Sequence, residues 1–173
     1  MKNKSKIIIL IIIIFIIGLI GCKNKTDTII QKKVENISQV KFSDLQKYKN
    51  SYVGDNSAVG NILYNLPGNM YDNGFSLKTD KQPYGIVVNY NVNTSLGKED
   101  YNNFWNGKEP KEFLQDNALI LFSLIKNVDI ISFNVDNVGI YEYNRKDLEI
   151  KFGKDLKSIV EDESSFKEFF KAH

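Results

Sequence analysis

Between Pro110 and Lys126 the chain carries a helical pattern that leaves little room for water. Phe113, Leu114, Ala118, Leu121, Phe122 and Ile125 recur at three- and four-residue spacing, the period of one helix face. Leu119, Ile120 and Leu124 then widen that face over most of the circumference. A helix of this kind is stable only if other elements cover it on most sides. Pro110 suits the first helical position, where a missing amide costs nothing. Asn117 lies inside the apolar stripe and needs a buried partner for its amide. The stretch from Ala118 to Ile125 is far shorter than the roughly 20 residues that span a bilayer, so the cover must be protein.

Strands supply that cover. Tyr84, Ile86, Val88, Tyr90 and Val92 alternate with Gly85, Val87, Asn89 and Asn91, which predicts a strand with one buried face. Phe75–Thr79 alternates in the same way across the turn Asp80–Pro83 and reads as its hairpin partner. Asp129–Val135 and Val138–Tyr143 form a second pair, joined at Asp136-Asn137, two residues that tolerate left-handed backbone. The expectation is a small two-layer α+β domain, with an antiparallel or mixed four-stranded sheet covered by the buried helix.

Shorter elements fill the rest. Ser43 is placed to cap a helix through Tyr48, and Asp55 or Asn56 to cap one that runs to Leu66 and stops at Pro67-Gly68. Residues 93–109 read as a long polar connection carrying Tyr101, Phe104 and Trp105. Arg145–Phe152 reads as a helix ended by Gly153, and Asp155–Val160 as a short one. Ser165 with Glu168 forms a capping box for a last helix that docks through Phe166, Phe169 and Phe170.

Composition removes several chemistries. Cys22 is the only cysteine and His173 the only histidine, so an internal disulfide, a Cys/His zinc site and a Ser-His-Asp triad have no residues to form from. No H-E-x-x-H metallopeptidase motif occurs, and no metal or cofactor is implied. Beyond residue 21 the chain holds 20 bases and 21 acids, which gives no footprint for nucleic acid.

The amino-terminal 22 residues have a different logic. Lys2, Lys4 and Lys6 precede an apolar run from Ile7 to Ile17, and Leu19-Ile20-Gly21-Cys22 follows. That order resembles the lipobox of exported bacterial lipoproteins. The resemblance implies a diacylglyceryl group on the Cys22 thiol and cleavage between Gly21 and Cys22. It divides the chain into a signal peptide, 1–21, a polar tether, 22–40, and one extracytoplasmic domain, 41–173. The protein would then sit on the outer face of the cell membrane, held there through lipidated Cys22.

Within the domain, Lys47-Tyr48 to Asp55-Asn56-Ser57, Leu66-Pro67, Pro83-Tyr84-Gly85 through Asn89-Tyr90, and Leu121 to Val128 resemble an uncharacterised extracytoplasmic family. Its members are lipoproteins and membrane proteins of low-GC Gram-positive bacteria, some of them beside the sensor part of antibiotic-responsive metallopeptidases. The resemblance brings no catalytic residues. The expected role is a non-catalytic binding or sensing module for a membrane protein or an envelope ligand. The alternatives are an envelope enzyme that uses carboxylates such as Asp55, Glu99, Asp100 or Asp129, for instance on glycans, and a structural lipoprotein. The surface expected to bind comprises Tyr52, Gly54 and Asp55, where a helix start could meet an anion, Trp105, which could stack on a sugar or a partner or else lid the core, and Arg145. Arg145 is the only arginine, and its planar fork binds carboxylate or phosphate as lysine cannot; an internal pair with a nearby carboxylate is the commoner use of such a fork, and a ligand contact is the other.

Replacing Cys22 by alanine is predicted to abolish lipidation and lipid-dependent processing, because the chain holds no second thiol. Mass spectrometry of the amino-terminal peptide checks this. The wild type should begin at Cys22 with a diacylglyceryl adduct that the variant lacks, and an unmodified, uncleaved wild type in a cell that processes other lipoproteins would contradict it.

Overall fold

The computed structural model describes residues 32–172, which form one compact unit. The expected signal peptide, cleavage site and lipidated cysteine lie outside the described residues. In chain order the helices are α1 (Phe42–Leu45), α2 (Asn56–Tyr64), α3 (Gly97–Asn106), α4 (Pro110–Leu124), α5 (Arg145–Phe152) and α6 (Glu163–Ala172). The strands are β1 (Asp72–Lys78), β2 (Gly85–Tyr90), β3 (Ile130–Val135) and β4 (Gly139–Asn144). Among the described residues no helix is long and apolar enough to cross a membrane.

The strands make one mixed sheet in the order β1-β2-β3-β4. The outer pairs are antiparallel and the central β2–β3 pair is parallel, with Gly85 opposite Ile130 and Tyr90 opposite Val135. A parallel pair needs a long crossover, and α3 and α4 supply it between β2 and β3. Register sorts the side chains. Phe75, Val88, Phe133 and Tyr141 form one inward row, and Leu77, Ile86, Ile131 and Tyr143 the next. On the opposite parity Ser76, Val87, Ser132 and Glu142 form a row on the outer face, beside Asn89, Asn134 and Ile140. The sheet is therefore apolar towards the helices and mostly polar away from them.

Helix α4 is buried on every face from Asn117 onward. The far side of this helix packs against the 3₁₀ segment Leu156–Val160, whose Leu156, Ile159 and Val160 are buried in turn. Helix α6 closes over that segment through Phe166 and Phe169. Asp162, not Ser165, caps this last helix: its Oδ1 accepts the Ser165 amide at 2.8 Å, and Ser165 already lies inside the helix. Ser43 is likewise internal to α1 and caps nothing.

Two expectations are corrected. Residues 97–106 form α3, not an extended connection: Tyr101, Phe104 and Trp105 share a buried helix face, with a period hidden by the polar residues around them. The tether expected over 22–40 does not hold for its last residues, because Val34 is 1% exposed and belongs to the core, as does Val40. Asn69 holds this segment. Its Oδ1 accepts the Val34 amide at 3.0 Å, its Nδ2 donates to the Lys32 and Tyr64 carbonyls at 2.7 and 2.8 Å, and the Gly68 amide donates to Val34 O at 2.9 Å. Gly68 stands at φ +85°, a conformation glycine adopts without strain.

Replacing Asn69 by alanine is predicted to cost about 1–3 kcal/mol, since it strands the buried Val34 amide and frees two half-buried carbonyls. Denaturant unfolding measures the loss. Hydrogen exchange should quicken first at Val34, and equal protection in both proteins would refute the clamp.

Candidate functional site

Arg145 opens α5 and turns inward. Its Nε donates to the Val128 carbonyl at 2.8 Å, and its Nη2 to the Phe122 and Ile125 carbonyls at 2.7 and 2.6 Å. The guanidinium lies over the Phe122 ring, 5.1 Å from its centre, and Nη1 reaches Glu149 at 3.8 Å. Burial lowers its pKa, against the opposing pull of Glu149, Asp155 and Asp129. It remains a cation because guanidinium does not deprotonate in proteins. Its fork is thus spent on the carbonyl end of α4 and is not presented to a ligand.

Trp105 is 1% exposed and is not at the surface. Tyr90, Phe104 and Phe113 surround it with ring centres 5.1–5.7 Å away, so it lines the core and offers no stacking face. Asp55 accepts the Ala58 amide at 2.9 Å, so its own carboxylate occupies the start of α2. An anion there would meet like charge. Gly54 is exposed, and Tyr52 is exposed beneath the Lys126 ammonium, which sits 3.8 Å from the ring centre. Trp105 and Arg145 are turned into the interior, so the five sequence-selected residues do not present one binding surface.

The carboxylates are dispersed too. Asp129 accepts the Tyr84 amide at 2.8 Å, and Asp100 accepts the Tyr71 hydroxyl. Glu99 is exposed on α3. Glu35 and Asp100 contact the same Lys33 ammonium at 3.1 and 3.6 Å. Lys33 takes the space where a glycosidic oxygen or a water would have to sit. Among the described residues no group of three or more Asp, Glu, His or Cys stands close enough to hold a metal ion.

A different constellation comes together at the carboxyl ends of the parallel strands. A groove of about 520 Å³ lies there, lined by Asn89, Asn134, Asp136, Asn137, Gly139 and Ile140 among others. Asn134 Nδ2 donates to Asn89 Oδ1 at 2.9 Å, and Asn89 Nδ2 reaches the Gly74 carbonyl at 3.3 Å. Asn137 takes the left-handed turn position, φ +60°, which asparagine tolerates. The floor is held from below. The Asp136 amide donates to Tyr90 O at 3.0 Å, and the Tyr101 hydroxyl donates to the Asp136 carbonyl at 2.9 Å and lies 3.3 Å from Tyr90 O. Burial pushes the Tyr101 hydroxyl up to about 12, so it stays a donor. Burial raises the Tyr71, Tyr90 and Tyr143 hydroxyls as well.

The chemistry of the groove is that of amides. Each Asn side chain both donates and accepts, Asp136 is the one acid among these residues, and no base lies between Lys81 and Lys98 or between Lys126 and Arg145. Such a lining matches neutral or basic partners rich in their own donors and acceptors, and repels phosphate. Sequence reasoning did not select these asparagines, since the general excess of Asn hid them. Their signal was parity: Asn89 and Asn134 fall on the outward set of their strands.

Comparison with known families finds a match. The family described as "Domain of unknown function (DUF4825)" matches residues 45–146, more than half of the chain. The matched span holds the whole sheet, α2 to α4 and Arg145, and leaves α6 and the Val34 segment outside. No curated protein and no solved structure matches the chain.

Arg145→Lys is predicted to keep the charge but lose the fork, lowering stability by roughly 2 kcal/mol. Thermal unfolding of both proteins checks this. Unchanged stability would mean that the α4 carbonyls do not depend on the guanidinium.

Proposed function

The chain belongs to the DUF4825 family, and on that premise we propose that it is a non-catalytic binding module, lipid-anchored through Cys22 on the outer face of the cell membrane. The groove at the carboxyl ends of β2 and β3 is its binding surface. The observation that carries this reading is the groove itself: a pair of bonded asparagine side chains beside a turn whose Asp136 carbonyl the Tyr101 hydroxyl holds, without a base and without paired acids. Ligands of open sheets with parallel strands are received at this end of the sheet. The Leu19-Ile20-Gly21-Cys22 motif supports the anchor, and two acyl chains give stable membrane attachment. The partner is a membrane protein or an envelope ligand that presents neutral polar or basic groups. Against the carboxylate-enzyme reading, Glu35 and Asp100 come together on the Lys33 ammonium, which neutralises them.

Replacing Asn89 and Asn134 together by valine suits both strands and removes the amides. The full-length anchored protein is immobilised and offered sonicated wall fragments or solubilised membrane protein. The double variant should keep its unfolding midpoint and retain either ligand roughly tenfold less well, as expected for two lost polar contacts. Equal retention of both ligand classes by the variant and the wild type would remove the groove from the function.

A further inference from the structure

The two edges of the sheet are built differently. Edge strand β1 is protected: its pairing shifts register between Asp72 and Phe75, Gly74 stands at φ +91°, and Lys78 is exposed. Bulges and lysines are the usual means of keeping an edge from recruiting another strand. Edge strand β4 has none of them. It pairs with β3 in unbroken register over all six residues and contains neither proline nor lysine. Among the described residues no backbone hydrogen bond reaches β4 from outside its ladder with β3. Ile140 is 76% exposed on it, and Val138 is exposed just before it.

The charge on this edge selects an occupant. Glu142 is the only charged residue of β4. Ser132 Oγ donates to its Oε2 at 2.8 Å, which draws the carboxylate over the outer face, and among the described residues it has no ion-pair partner. Two copies of this chain joined edge to edge about a two-fold axis would bring their Glu142 carboxylates onto the same face with no base between them, an unfavourable arrangement. An extended strand carrying a base removes that penalty. An apolar residue two positions from the base would cover Ile140, because side chains on one face recur every second residue. Gly139 and Ile140 line the groove as well, so a strand laid along β4 ends in it.

We infer that β4 is a docking strand, which an extended, basic segment of a partner protein joins as a fifth strand. This deepens the binding reading and rests on it, fixing the partner as a polypeptide and not a glycan.

The test uses the full-length anchored protein in detergent micelles. The probe is a capped heptapeptide with lysine, isoleucine and lysine at alternate positions between threonines. Hydrogen exchange should slow at β4 amides when it is added, and β1 amides should not change. A peptide with glutamate for lysine should bind roughly tenfold more weakly, and Glu142→Lys should reverse that preference. No slowing at β4, slowing confined to β1, or slowing that depends on protein concentration without peptide would overturn the inference, the last in favour of a second copy. If β4 stays silent while the Asn89 and Asn134 valine variant still loses its ligands, the groove survives and the docking strand does not. Slowing at β4 beside unchanged ligand retention by that variant leaves the docking strand standing without the groove.

Discussion

A helix buried on all sides strands its last carbonyls away from water, and this requirement shapes the domain around the end of α4. Those carbonyls have no intrahelical partner, and leaving them unmet would cost about 1–3 kcal/mol each. Arg145 meets Phe122 O and Ile125 O together, and adds Val128 O beyond the helix. The strand-like residues next to it are fastened to the same place. Lys126 N donates to Ser51 O at 3.0 Å, and Val53 N to the Asn127 side chain at 2.8 Å. The chain before α2 and the chain after α4 are thereby tied at one point. Because Arg145 also begins α5 directly after β4, the sheet, the central helix and the carboxyl-terminal layer share this junction.

Elements with a long, clean period were legible in the sequence. The four strands and α4 lie close to where alternation and helical spacing place them, because each turns a periodic apolar face towards the core. What stayed hidden depended on partners distant in sequence. Tyr101, Phe104 and Trp105 sit among asparagines and lysines, so their shared face shows only once β2 and α4 are in place around them. Val34 falls within the segment read as a polar tether, and its burial rests on Asn69, 35 residues on, which accepts its amide. Arg145 was singled out for the right chemistry, a planar fork, but carbonyls occupy that fork, where the sequence suggested a carboxylate or a ligand.

The candidate site was the least legible part. It is made of backbone ends and short amides, whose meaning comes from strand order. Asn89 and Asn134 become neighbours only because β2 and β3 run parallel side by side. The four candidate acids behave differently from one another: two satisfy backbone amides, one takes a tyrosine hydroxyl and one lies on an exposed helix surface. Much of the polar chemistry that a sequence reader would assign to a ligand is thus taken up by the fold.

The position of Trp105 has an optical consequence. It is the only tryptophan, it is enclosed by rings, and its indole nitrogen finds no hydrogen-bond partner among the described residues. An indole in such apolar surroundings emits towards the blue. Tyr101, whose hydroxyl supports the groove floor, lies one helical turn before it with ring centres 6.2 Å apart. The molecule therefore carries a native fluorophore packed against Tyr90, which lines the groove, and the colour and polarisation of its light report whether that floor is intact without any added label.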